Sequence, residues 1–251
     1  MPPIHDVTLA DVYHLDFGRR TDDLTTWSAL ADAAPSGAVL DVCCGDGRAT
    51  KHLIGAGRKV YGLDTDSKFC ALARGVGIDA TTGEASSVAA LRVVGPRPAL
   101  VVCAYSSLFL LPHARHAEAI DAMAEVVLSG GFVAVEAFAP KLHESRTVDS
   151  TVADPNDPTS PPWVRRTTYT VVDASRTTRI TRLYGPEAGN WTMRLEETVY
   201  WRDPDEIALL FRRAGLTDVE WSQSLVRLFG DDGIRRVVPV APGMSLTVGR
   251  R

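Results

Sequence analysis

The spacing of apolar positions changes several times along the chain, and each change marks an element. Leu24, Trp27, Leu30 and Ala31 recur at helical spacing and give one apolar face to a helix that Pro35-Ser36-Gly37 stops. Ala38–Cys43 is a short apolar run between turn residues, which predicts a buried strand. A turn at Gly45-Asp46-Gly47 leads into a helix over Arg48–Gly55, closed by Gly55 and Gly57. The alternation continues with strand Lys59–Leu63, helix Ser67–Arg74 and a short strand Ala80–Thr82. Strand Ala99–Tyr105, helix His116–Leu128 and strand Phe132–Phe138 follow. Strands and helices alternating at this pace predict a parallel sheet with helices on both faces.

After Phe138 the pattern changes. Residues 140–164 are rich in Pro, Ser, Asp and Thr and carry no periodicity. Alternating stretches over Arg166–Val172, Arg176–Tyr184 and Trp191–Trp201 then read as antiparallel strands joined by turns. A helix over Pro204–Ala214, capped by Asp203 and closed by Gly215, precedes two closing strands, Thr217–Ser222 and Met244–Val248. The expected fold class is α/β: a Rossmann-like, seven-stranded, mostly parallel sheet with an antiparallel β insertion after the fifth strand. Residues 1–139 form the core with an N-terminal cap, 140–201 an antiparallel lid insertion, and 202–251 the completion of the core sheet.

Composition narrows the classes of function. A chain of 251 residues is at the upper end of what one hydrophobic core supports. No stretch approaches the roughly 20 consecutive apolar residues of a membrane span. The opening Met1-Pro2-Pro3-Ile4-His5-Asp6 lacks the basic patch and apolar run of a secretory signal, so a cytoplasmic location is expected. With 27 basic and 31 acidic residues the net charge is -4, against the basic surface that a nucleic-acid partner would require. Cys43, Cys44, Cys70 and Cys103 form no Cys-x-x-Cys pair and have no His at zinc spacing, so reduced thiols and no metal are expected.

The residues with chemistry cluster where the first core strand becomes a turn. Asp41-Val42-Cys43-Cys44-Gly45-Asp46-Gly47 leaves a buried strand at the place where open parallel sheets bind ligands. Glycine there lets backbone approach a ligand closely. Asp64 ends the next strand, and a carboxylate in that position can accept hydrogen bonds from both hydroxyls of a ribose. That suits adenosine-containing ligands generally, nicotinamide dinucleotides included. Two details separate them. A pyrophosphate turn reads Gly-x-Gly-x-x-Gly, whereas here the third position is Thr50. Asp41 also points an anion into the loop, repulsive toward a pyrophosphate and attractive toward an ammonium or sulfonium.

Val39–Gly47, Tyr61–Asp64, Gly83-Glu84-Ala85, Val101–Leu108 and Leu128–Gly131 together resemble the successive motifs of class I S-adenosylmethionine-dependent methyltransferases. The segment Tyr13–Asp23 and the late antiparallel insertion are similar to the small-molecule branch, which includes deoxyaminosugar N,N-dimethyltransferases and glycine N-methyltransferase. The resemblance implies S-adenosyl-L-methionine as cofactor, its methionine portion held by the loop from Asp41 through Cys43 and Gly45 to Gly47. It further implies that Asp64 holds the ribose, Thr65 and Phe69 border the adenine, and Glu84 with Ala85 reaches the exocyclic amine. Tyr13 and Arg20 would close over the methionyl end, with Arg20 facing its carboxylate, and Cys103–Tyr105 would floor the sulfonium. Two positions depart from the family pattern: Cys43 stands where Gly or Ala is usual, and Glu84 where Asp is usual.

Three side chains are candidates for chemistry on the acceptor. Tyr105 ends an apolar strand, His113 follows Leu110-Leu111-Pro112 beside the same mouth, and Glu136 is an acid inside an otherwise apolar strand, placed to face the pocket. Each has a plainer reading, as a pocket wall, a surface histidine or a satisfied buried acid. The insertion aromatics Trp163, Tyr169, Tyr184, Trp191, Tyr200 and Trp201 read as a substrate lid or as ordinary strand packing. Methyl transfer from a sulfonium is an in-line displacement that needs alignment and exclusion of water more than acid–base chemistry. The expectation is methyl transfer to a small-molecule acceptor, nitrogen ahead of carbon or oxygen, in secondary metabolism, by an enzyme compatible with a homodimer. A nicotinamide-dependent oxidoreductase and a non-catalytic cofactor-binding module are the alternatives.

Overall fold

The computed structural model describes residues 5–6, 10, 13, 16–18, 20–87, 90, 92, 96–138, 144–152, 162–173, 176–229 and 234–251. In chain order the first strands and helices are β1 (His5–Asp6), α1 (Leu24–Ala33), β2 (Val39–Val42), α2 (His52–Gly55) and β3 (Val60–Asp64). Then come α3 (Ser67–Gly75), β4 (Asp79–Thr82), β5 (Leu100–Cys103), a 3-10 turn at Ser107–Leu110, α4 (His113–Val126) and β6 (Phe132–Phe138). Strands β7 (Arg146–Val152), β8 (Trp163–Asp173), β9 (Thr177–Gly185) and β10 (Met193–Tyr200) follow without an intervening helix. The chain closes with α5 (Pro204–Arg213), β11 (Thr217–Ser222), β12 (Leu225–Phe229), β13 (Arg235–Pro239) and β14 (Met244–Arg250).

Two compact units divide the chain: Met1–Arg20 with Pro140–Trp201, and Thr21–Ala139 with Arg202–Arg251. In the larger unit seven strands lie in the order β11-β14-β6-β5-β2-β3-β4. The five strands from β6 to β4 are parallel, and β14 runs antiparallel between β6 and β11. The central strands β2 and β5 are buried at every position; Leu100–Cys103 is a continuous apolar run, and Val39–Val42 is apolar but for Asp41. The chain steps outward from β2 to β4, then returns to the other side for β5 and β6. Strand order therefore reverses between β2 and β5, and the carboxyl ends of strands at such a reversal are where open parallel sheets bind ligands. The expected mostly parallel seven-stranded sheet, with an antiparallel insertion after its fifth strand, is borne out.

The smaller unit holds a five-stranded sheet in the order β1-β10-β9-β8-β7, antiparallel except for β1. Register places Trp163 and Arg165 on one face with Tyr184, Arg182, Met193 and Leu195. Val152 and Tyr184 form the buried centre of that face, packed by Trp163, Met193 and Leu195. Among the described residues no helix is long and apolar enough to cross a membrane.

Several expectations need correction. The helix over Arg48–Gly55 shrinks to α2, because Thr50 and Lys51 both donate to the Gly47 carbonyl and make a turn instead. Strand β5 stops at Cys103, two residues short of Tyr105, because Tyr105 and Ser106 adopt left-handed φ of 52° and 61°. Helix α4 begins at His113, directly behind Pro112. Strand β7 lies inside the stretch without periodicity, and β12 and β13 form a hairpin where no strands were expected.

Candidate active site

The loop after β2 is shaped by its own residues. Cys43 takes a left-handed φ of 60°, and Gly45 and Gly47 take 53° and 79°. A side chain on Gly47 would bring a Cβ to 2.4 Å from Ile78 Cδ1, so close packing as well as conformation demands glycine there. The Gly45 N–H donates to Asp64 Oδ2 at 2.9 Å, and the Asp66 N–H donates to Oδ1 at 3.0 Å. Asp64 thus pins the loop to the end of β3 and retains about half of its carboxylate lone-pair capacity.

Asp41 is 1% exposed at the end of β2. Its Oδ2 accepts from Thr50 Oγ1 at 2.7 Å, while its buried Oδ1 has no hydrogen-bond partner among the described residues. Burial pushes this carboxyl up to about 7; the Thr50 hydrogen bond and the Arg48 charge pull it down, and the Asp64 and Asp46 charges push it up. Burial likewise raises Asp64, against the amides that donate to it. Cys43 meets Cys103 from β5, and that contact, followed by burial, holds its thiol proton on.

The second shaped segment follows β5. The Tyr105 N–H donates to Glu136 Oε2 at 3.0 Å, the Ser106 N–H to the Glu136 carbonyl at 2.9 Å, and the Phe138 N–H to Ser106 Oγ at 2.8 Å. Two successive left-handed residues cost energy, and strain of this kind collects at functional sites. Glu136 is fully buried, and its carboxylate holds the Tyr105 backbone. Arg48 from the first loop lies with its guanidinium carbon 5.7 Å from the Tyr105 ring centroid. The same guanidinium makes a two-pronged bond to Asp23, 2.7 Å on each prong.

The sequence-derived candidates in this unit therefore gather at the ends of neighbouring parallel strands. Asp41, Cys43, Gly45 and Gly47 follow or end β2, Asp64 ends β3, and Cys103 and Tyr105 end or follow β5. The Gly83 N–H bonds to the Asp64 carbonyl, which brings the Glu84–Ala85 segment to the same end. Ala85 is buried; Glu84 is exposed and accepts from Arg115 Nη1 at 3.1 Å. Thr65 is exposed, and Phe69 is buried in α3. His113 turns its ring to His116, edge to face at 5.6 Å. Tyr13 and Arg20 belong to the smaller unit, where Tyr13 packs on Phe17 at 5.1 Å and the Arg20 N–H donates to the Phe17 carbonyl.

Sequence reasoning missed four contributors: Thr50, which bonds Asp41; the Asp23–Arg48 pair; Ser106; and Arg115. Thr50 carried a signal, since a hydroxyl replaced the third glycine of a pyrophosphate loop. Arg115 and Asp23 carried none, because each lies at least 25 residues from its partner.

Residues 39–131 match a family model described as a methyltransferase domain. No curated protein matches the chain. Among solved structures, the CcbJ methyltransferase from Streptomyces caelestis superposes with a TM-score of 0.72 at 18% identity, covering 97% of this chain and 96% of that one. CalS10, an amino pentose methyltransferase from Micromonospora echinaspora solved with bound S-adenosylmethionine, gives 0.70 at 18% identity and full coverage of both chains. The sugar N-methyltransferase KedS8 from Streptoalloteichus gives 0.70 at 17% identity, covering 100% of this chain and 97% of that one. Residues 39–131 thus match a methyltransferase domain, and the fold of the chain is similar to that of these methyltransferase structures.

The site fits S-adenosylmethionine. A buried carboxylate with one oxygen lacking a partner suits a cation, such as the cofactor's ammonium, and disfavours a pyrophosphate. Asp64 has acceptor capacity left for hydroxyls, and Gly45 and Gly47 keep the loop free of side chains.

Proposed function

We propose that this protein transfers a methyl group from S-adenosylmethionine to a small-molecule acceptor, with an amine as the accepting group, in secondary metabolism. The observation that carries the reading is the acidic cradle of Asp41 and Asp64 at the reversal point of the sheet. The similar structures whose names specify amino pentose or sugar N-methyl transfer support the choice of acceptor.

When bound, the cofactor supplies an electrophilic methyl on a sulfonium. The chain's own part is alignment. Asp41 faces the ammonium of the methionyl portion, Asp64 the ribose hydroxyls, and the Glu84–Ala85 segment the adenine edge. Cys103 and Tyr105 floor the sulfonium, with Tyr105 held in place by Glu136. An amine in its neutral form attacks without a base, so holding it in line is the main demand. Two of the three candidate bases are already committed: Glu136 bonds the Tyr105 backbone and His113 packs on His116. That supports a positioning role for Glu136 and leaves Tyr105 as the side chain at the mouth.

Titration calorimetry with S-adenosylhomocysteine and with NAD tests the cofactor. Methyl transfer from tritium-labelled cofactor to amino sugars, matched hydroxy sugars and phenols then tests the acceptor. Binding of S-adenosylhomocysteine and labelling confined to amines are expected. Binding of NAD alone, or labelling of the hydroxyl set alone, would refute the reading.

A further inference from the structure

Asp41 is surrounded by groups that oppose its ionisation more than they favour it. Asp64 faces it from the end of β3 and Asp46 from its own loop, where the thiols of Cys43 and Cys44 keep their protons and offer no charge, and its register partner on β5 is the apolar Val102. Among the described residues the cation that acts on it is Arg48, which is engaged on both prongs by Asp23. A single hydroxyl, from Thr50, serves Oδ2, and Oδ1 is buried with no hydrogen-bond partner among the described residues. We infer that Asp41 is a proton-exchange site: at mildly acidic pH the ligand-free protein holds a proton on its carboxyl, and binding of an ammonium-bearing ligand expels that proton and replaces it. The inference rests on the cofactor assignment above and adds to it a linkage between cofactor binding and pH.

The direction follows from the two charges. Burial leaves the ligand-free carboxyl titrating at about 7, so below that pH an arriving ammonium must displace a proton. Affinity then weakens by about tenfold for each pH unit below 7. The ligand's own α-amino group, beside its carboxylate, keeps its proton to a pH above the peptide-terminus value of about 8. Binding is therefore tightest between the two, and the acid limb near pH 7 belongs to Asp41.

Calorimetry of the full chain with S-adenosylhomocysteine, run in phosphate and in Tris between pH 5.5 and 8.5, reads the protons directly. Close to one proton released per site at pH 6 is expected, falling to about a quarter of a proton near 7.5. Asp41→Asn is expected to bind more weakly at pH 7.5, with no proton release and no acid limb. Thr50→Val removes the hydrogen bond that favours the charged form and is expected to move the acid limb to higher pH. A ligand-free readout stands beside these: the thermal midpoint of the unliganded wild type falls between pH 6 and 8, and that of Asp41→Asn does not fall with it. Tight binding of equal strength at pH 5.5 and 7, without proton release, overturns the exchange and leaves the cofactor assignment standing. No binding at any pH removes that assignment, and the exchange with it.

Discussion

Asp23 and Arg48 form an ion pair whose side chains are 1% and 2% exposed, bonded through both nitrogens of the fork. Burial works to raise the Asp23 carboxyl, but the Arg48 hydrogen bonds and charge, with the Trp27 indole, outweigh it and hold it low. Removing one partner strands a buried charge, so Arg48→Ala is expected to cost about 3–5 kcal/mol in urea unfolding. The double replacement Asp23→Leu with Arg48→Met strands no charge and leaves only the Trp27 indole N–H without its acceptor, and is expected within about 2 kcal/mol of wild type. A double variant as unstable as Arg48→Ala would refute the account. Asp41, Gly45, Gly47 and Asp64 were legible in the sequence because each sits on or beside a strand end, where spacing alone locates it. The Asp23–Arg48 pair was not, because its partners meet only after α1 packs on the core.

The segment from Ser106 to His116 shows the same contrast for whole elements. His116 is fully buried in α4; its Nε2–H donates to the Leu111 carbonyl at 2.8 Å, and its Nδ1 accepts from Arg202 Nε at 3.1 Å. These partners fix a neutral ring with the proton on Nε2. Burial pulls its pKa down to about 4, the Leu111 carbonyl opposing and the Arg202 and His113 charges adding to the shift. A base that binds protons more weakly when folded loses stability as pH falls from the unfolded value near 6.5 towards 4. Asp41, raised rather than lowered, shifts stability the opposite way over the same range, so the comparison must be differential. Between pH 7 and 5 the wild type is expected to lose about 2 kcal/mol relative to His116→Gln in urea unfolding. A constant difference across that range would contradict it. Elements buried on both faces, such as β2, β5 and β6, were read from short runs that are apolar but for Asp41 and Glu136. Strand β7 was not, because it is an edge strand exposed at most positions and its Arg-Thr-Val-Asp-Ser-Thr-Val sequence has no inner face to reveal.

On the scale of the whole chain, the smaller unit joins residues that sequence places far apart. Asp16 has a fully buried carboxylate, which accepts from the Tyr184 hydroxyl at 2.8 Å across 168 residues and pairs with Arg165. Burial, with the Asp16 charge beside it, raises the Tyr184 hydroxyl far above the ordinary phenol range, so it donates at every working pH. The aromatic residues of the insertion announced strands, yet no pattern in the first twenty residues announces that they share a unit with β8 and β9. Composition could not supply it either, since a net charge constrains partners and says nothing of which acid meets which base. Loss of the Tyr184 hydroxyl leaves Asp16 still paired with Arg165, so Tyr184→Phe is expected to cost about 1–2 kcal/mol. Asp16→Ala removes both bonds at once and is expected to cost more, about 2–3 kcal/mol. Because the loss is local to this unit, limited trypsin digestion is the sharper readout: cleavage after Arg20 should accelerate severalfold in Asp16→Ala and only slightly in Tyr184→Phe. Equal rates in the wild type and both variants would mean that Asp16 does not tie the N-terminal segment to the sheet.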